Sequence, residues 1–81
     1  MVRTTFSGRE VVTVLRSFEY QPVSRRGSHV RLRYEHPETD EVRLVDVPQH
    51  DEIAIGTLRS IAEQCGADDF YEWCRWIDEH R

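Results

Sequence analysis

The stretch His29-Val30-Arg31-Leu32-Arg33-Tyr34 alternates polar and apolar side chains without a break. Successive strand residues point to opposite sides of a sheet, so Val30, Leu32 and Tyr34 share one face and His29, Arg31 and Arg33 share the other. A chain carrying this pattern needs an antiparallel sheet with one face covered and the other in water or against a partner. Gly27 marks the turn before it. Tyr20 to Arg25 supplies an earlier extended segment, whose Pro22 cannot donate to a ladder and belongs on an edge. Beyond the polar His36-Pro37-Glu38-Thr39-Asp40 connection, Val42 to Val47 gives a third strand.

Helical signals flank this meander. Ser7-Gly8-Arg9-Glu10 has the form of a capping box, and Val11, Val14, Leu15 and Phe18 follow at three- and four-residue spacing. Ile53, Ile55, Leu58, Ile61 and Ala62 make a second helical pattern that stops at Gly66, a C′ glycine. Asp68 or Asp69 caps a last helix with Phe70, Trp73, Cys74 and Ile77 as its stripe. The order is α-β-β-β-α plus an additional C-terminal helix. That is an α+β class, a three-stranded antiparallel sheet with helices on one face.

A chain of 81 residues is expected to form a single domain, 1–81, around one modest core. Its first residues lack the apolar run of a signal peptide, and no stretch is apolar enough to span a bilayer, so the expectation is a soluble cytoplasmic protein without membrane attachment. Cys65 and Cys74 have no neighbouring Cys or His at zinc-ligand spacing. They read as small apolar fillers, and neither a metal nor another cofactor is expected.

Charge is unevenly distributed. Residues 1–36 carry +4 and residues 37–81 carry −8, so one part suits a polyanion and the other repels it. All 11 basic residues are Arg. Arg without Lys beside surplus acid fits a halophile, although a GC-rich genome alone would also favour Arg; at 1 M salt a Debye length of about 3 Å removes long-range steering.

Several separated features then combine: the capped first helix, the Gly27-Ser28-His29 turn and strand, the Val45-Asp46-Val47-Pro48 strand end, and Ile55-Gly56-Thr57-Leu58-Arg59-Ser60-Ile61 opening the second helix. Together they resemble the HicA (YcfA-like) toxin family over roughly residues 7–66. The resemblance implies a fold similar to a double-stranded RNA-binding domain (dsRBD-like). It also implies an endoribonuclease activity, an mRNA interferase that cleaves messenger RNA and halts translation until a HicB-type antitoxin binds. The family's essential histidine falls on His29, with Gly27 and Ser28 as the turn that positions it. Two departures stand out: the net acidic charge, where relatives are usually basic, and the helical extension 67–81, on which the family pattern says nothing.

The residues admit this chemistry. Metal-independent RNA hydrolysis needs a base for the 2′-OH proton and an acid for the departing 5′ oxygen, and an imidazole serves in either role. Without the family pattern, an exposed strand histidine is ordinarily just solvated. Arg31 and Arg33 share the His29 face and suit phosphorane charge; Ser28 is a further helper. Arg25, Arg26, Arg31 and Arg33, with Arg43 as a further candidate, are either the solvated face of a half-buried sheet or a phosphate-binding face. His50 is a loop residue and a candidate helper if the strand end folds near the Gly27 turn. Arg59 stands open between an RNA contact and an antitoxin salt bridge, and Thr57 caps or pads the second helix. Trp73 and Trp76 fit core packing or a protein contact better than base stacking, given the acids around them. A non-catalytic RNA-binding module and a degenerate toxin acting as a protein-interaction partner remain the alternatives to the nuclease. Oligomeric state is not legible.

Overall fold

The computed structural model describes all residues from Met1 to Arg81. Helix α1 (Gly8–Ser17) leads into strands β1 (Gln21–Arg26), β2 (His29–Glu35) and β3 (Val42–Pro48), followed by helices α2 (Ile55–Gln64) and α3 (Phe70–His80). The sheet is an antiparallel meander in the order β1-β2-β3, so the expected α+β, dsRBD-like layout with an additional helix is what the chain forms.

Each helix starts and stops for a local reason. Ser7 and Glu10 form the reciprocal capping box: the Glu10 amide donates to Ser7 Oγ at 3.0 Å and the Ser7 amide to Glu10 at 2.9 Å. That backbone bond from Ser7 is the main reason the Glu10 carboxyl lies below the usual carboxylate range, with Arg3 and Arg81 adding their charge against partial burial. Asp69 caps α3 by accepting from the Tyr71 and Glu72 amides. Helix α2 differs from expectation at its start: its N-cap is Ala54 and no side chain caps it, so Thr57 does not serve there. At its end Gly66, at φ +81°, donates to the Glu63 carbonyl and Ala67 to the Ala62 carbonyl, a Schellman motif. Helix α1 closes in the same way on a residue the sequence does not betray. Glu19 takes the left-handed position at φ 73°, Tyr20 donates to Leu15, and the Tyr20 ring turns inward.

The buried side chains form one hydrophobic cluster. Val11, Val14 and Leu15 from α1, Leu58, Ile61 and Ala62 from α2, and Trp73, Cys74 and Ile77 from α3 meet Leu32, Val45 and Val47 from the sheet. Phe6, Tyr20, Ile53 and Cys65 close the gaps between elements. Strand β1 contributes nothing to this cluster; every one of its residues is exposed. The helices cover β2 and β3 and leave β1 overhanging, joined to the rest by its ladder to β2. That edge is interrupted by a bulge between Pro22 and Ser24, a feature that discourages strand addition, as does the proline.

Two substitutions with opposite signs test this account. A Cβ on Gly8 would drive into the backbone carbonyl of Pro48, so Gly8→Ala should lower unfolding stability by about 1–3 kcal/mol. Glu19→Gly should raise it by about 0.5–1 kcal/mol by removing left-handed strain. Urea titrations followed by circular dichroism measure both. Burial pushes the thiols of Cys65 and Cys74 up to about 11, and both are buried. Native protein at pH 8 should therefore react with iodoacetamide far more slowly than urea-unfolded protein, as read by mass spectrometry.

Candidate functional site

The site begins at the hairpin between β1 and β2. Arg26 pairs with His29 across the ladder, leaving Gly27 and Ser28 as a two-residue loop. Gly27 has φ +57° and Ser28 does not take a positive φ, the arrangement of a II′ turn, whose twist matches that of the strands it joins. The Ser28 carbonyl accepts the Gln49 amide at 2.6 Å, and the Gly8 amide donates to the His50 carbonyl at 2.9 Å. The turn, the end of β3 and the start of α1 are thereby fastened at one end of the molecule.

His29 opens β2 between Arg26 and Pro48, and its imidazole is exposed. One step along the same face, Arg31 lies between Ser24 of β1 and Asp46 of β3. Ser24, Arg25, Arg26, His29, Arg31 and Asp46 line a wholly polar groove of about 500 Å³. By register Arg25 faces the Val30 side, but no helix covers β1 there. Its side chain bends toward the Gly27 carbonyl at 3.5 Å and borders the groove.

The arginines differ in how committed they are. Arg31 donates twice to Asp46, Nε to Oδ1 at 3.0 Å and Nη2 to Oδ2 at 3.2 Å. These bonds hold the Asp46 carboxyl below the usual carboxylate range; partial burial opposes the shift, and the charges of Arg31 and then His29 add to it. Arg33 is paired with Glu35 at 3.1 Å and borders a different concavity, at the far end of the sheet, with Ser17, Glu19, Gln21 and Tyr34. Arg25 and Arg26 make no ion pair with a carboxylate.

Other candidates fall outside the groove. Ser28 contributes its carbonyl to the turn's attachment, and its side chain is not among the groove's walls. His50 lies at the same end of the molecule, yet it lines a separate recess with Ser7, Arg9, Gln49 and Asp51. Arg43 is on the covered side of the sheet, opposite Tyr34, and donates to the Cys65 carbonyl at 2.6 Å and to Glu41 at 3.1 Å. It closes the end of α2 and is no part of the open face. Arg59 sits with its guanidinium 4.4 Å from the Phe70 ring centre and 3.3 Å from the Tyr71 hydroxyl, bridging α2 to α3. Trp73 is buried with its Nε1 unpartnered, and Trp76 packs 4.7 Å from Phe18, so both tryptophans serve helix packing. His80 meets the same Phe18 edge to face, with ring centres 4.9 Å apart. No group of three His, Cys, Asp or Glu side chains comes together where it could hold a metal ion.

Three residues around the site were missed by sequence reasoning. Asp46 and Ser24 sit on the groove because strand register places them opposite Arg31, and register is invisible until partners are known. Arg9 stands beside His50 because the start of α1 is fastened to the end of β3.

The fold and the groove define a small α+β protein whose open sheet face carries a histidine among arginines at a hairpin end. The family model described as HicA toxin of bacterial toxin-antitoxin matches residues 8–67, which takes in the Gly27-Ser28-His29 turn, the groove and all of α2. The chain belongs to the HicA toxin family. No curated protein and no solved structure matches it.

The placement of Arg59 yields a prediction. Arg59→Ala removes a stacked cation between two helices and should lower the thermal midpoint by roughly 2–8 °C. A scan of wild type beside the variant measures it, and an unchanged midpoint would free Arg59 for a ligand role.

Proposed function

We propose that this chain is a metal-independent endoribonuclease toxin that cleaves messenger RNA, inhibits translation in the cytoplasm and is neutralised by a HicB-type antitoxin. The observation that carries this reading is His29, the histidine of the family's Gly-Ser-His motif, exposed at the head of a polar groove beside two arginines without carboxylate partners. In this scheme Arg25 and Arg26 hold phosphate on either side of the scissile bond. His29 takes the 2′-OH proton as general base; the 2′ oxygen attacks phosphorus, the bond to the 5′ oxygen breaks, and a proton goes to that oxygen. The products are a 2′,3′-cyclic phosphate and a 5′-hydroxyl. The second proton transfer falls to water or to His50, which the Gln49 attachment keeps at the same end of the molecule. Residues 1–81 act as one domain in this proposal, the 7–66 core carrying the chemistry and the 67–81 extension bracing it.

The prior pairing of Arg31 with Asp46 and of Arg33 with Glu35 favours a second reading, in which the protein binds an antitoxin without cutting RNA. One experiment separates them. Wild type and His29→Ala, both shown to be folded by circular dichroism, are incubated with cellular RNA in EDTA at low and at molar salt. Cleavage by wild type, lowered at least 100-fold in the variant, is the expected result. Folded wild type that leaves RNA intact at every salt concentration would retire the nuclease.

A further inference from the structure

Of the groove's charged side chains, Asp46 fits a polyanion site least well. Its carboxylate faces the same space as His29, Arg25 and Arg26, and it takes the Nε and Nη2 donors of Arg31 in a forked geometry that a phosphate would also use. The position is fixed from both sides. Across the ladder Asp46 is directly opposite Arg31, and on its free edge its backbone amide donates to Gln64 Oε1 of α2 at 2.9 Å. Both side chains of the pair remain about half exposed, 48% and 45%, so the bond is accessible to an incoming ligand. An exposed ion pair of this kind contributes little to stability and exchanges readily.

We propose that Asp46 is a built-in competitor for the RNA phosphate: it occupies Arg31 in the free protein, and a substrate phosphate must displace it to gain the third arginine of the groove. This rests on the nuclease reading and names what limits substrate affinity at that site. Two arginines capture phosphate at once, and the third becomes available only to a backbone that reaches the Arg31 position, two residue pairs into the sheet from His29. Binding is thereby weakened for any polyanion touching only the turn and favoured for one lying along the groove. His29 also faces the Asp46 carboxylate, whose acidity it affects, so displacement of that carboxylate occurs beside the reacting centre.

The test is a double-mutant cycle read by binding. A fluorescein-labelled RNA hairpin with a single-stranded tail is titrated, by fluorescence anisotropy across a salt series, with four full-length proteins that all carry His29→Ala to prevent cleavage. They are the parent, Asp46→Asn, Arg31→Ala and the combination of the last two. Asp46→Asn should bind roughly threefold to tenfold more tightly than the parent, with a log–log salt slope steeper by about 0.7–0.9, one added phosphate contact. That gain should vanish in the Arg31→Ala background. An equal gain without Arg31 would make Asp46 a plain repelling charge and overturn the proposal, as would unchanged or weaker binding by Asp46→Asn. Binding by the parent without a response to Asp46→Asn would remove this inference and leave the nuclease reading standing. Folded proteins that all fail to bind at low salt would bring down both.

Discussion

Two backbone hydrogen bonds at one end of the molecule hold the arrangement together. The Gln49 amide reaches the Ser28 carbonyl, and the Gly8 amide reaches the His50 carbonyl, so two adjoining residues after β3 clasp the hairpin on one side and α1 on the other. Without the first bond the turn leading into His29 would be held on its β1 side by strand pairing alone, because β1 buries nothing. The second bond adds a backbone tie between the capped start of α1 and the end of β3, beside the packing of Val11, Val14 and Leu15 on the sheet. The close approach explains why the first helical residue is glycine, since any side chain there would meet the Pro48 carbonyl. It also explains Pro48: lacking an N–H, it leaves no unpaired donor on the edge of β3 beside the helix start.

Core and groove occupy different faces of the sheet, and β1 belongs to the groove alone. The residues that fill the core come from β2, β3 and the helices, whereas the groove draws on β1, the outward side of β2 and Asp46. An uncovered strand is a weak contributor to folding, but it keeps Arg25 and Arg26 solvated on both sides and clear of carboxylates. A half-buried guanidinium takes partners within the chain, as Arg43 does with the Cys65 carbonyl and Glu41. The overhang of β1 is the physical condition under which two arginines can remain available beside a histidine.

How much of this was legible depended on whether the signal was local. The period of two from His29 to Tyr34, the capping box and the glycine stop at Gly66 are written in neighbouring residues, and each appears where expected. Pro22 correctly marked β1 as an edge strand. The left-handed Glu19 was hidden because its conformation is enforced by Tyr20 turning into the core, a tertiary cause. Arg43 was grouped with the open-face arginines, although its own parity in β3 puts it on the covered side, opposite Tyr34. The place of Asp46 in the groove comes from standing opposite Arg31, which its own neighbours in sequence do not reveal. Arg59 was weighed only against partners outside the chain, because nothing in the sequence says that α3 folds back to place Phe70 and Tyr71 under it.

The net charge of −4 looks ill suited to a polyanion, and geometry weakens that objection. Helix α3 packs on α1 and α2, which themselves cover the inner side of the sheet, so the acids of residues 67–81 lie beyond the helical layer from the groove. The molecule measures 20 Å along its shortest axis, against a Debye length of about 8 Å at physiological ionic strength. Charges separated by more than twice that length are nearly independent through solvent. The acids of residues 67–81 therefore weigh little at the groove, whose own walls carry two unpaired arginines, a histidine and one arginine paired with Asp46. Lowering the salt lengthens the reach of the distant acids to about 30 Å at 0.01 M, past the thickness of the protein. Repulsion from the whole chain then grows together with the attraction of the groove. A polyanion site on an acidic protein of this size consequently gains less from low salt than the same groove on a basic one, and its affinity rests on contacts made inside the groove itself.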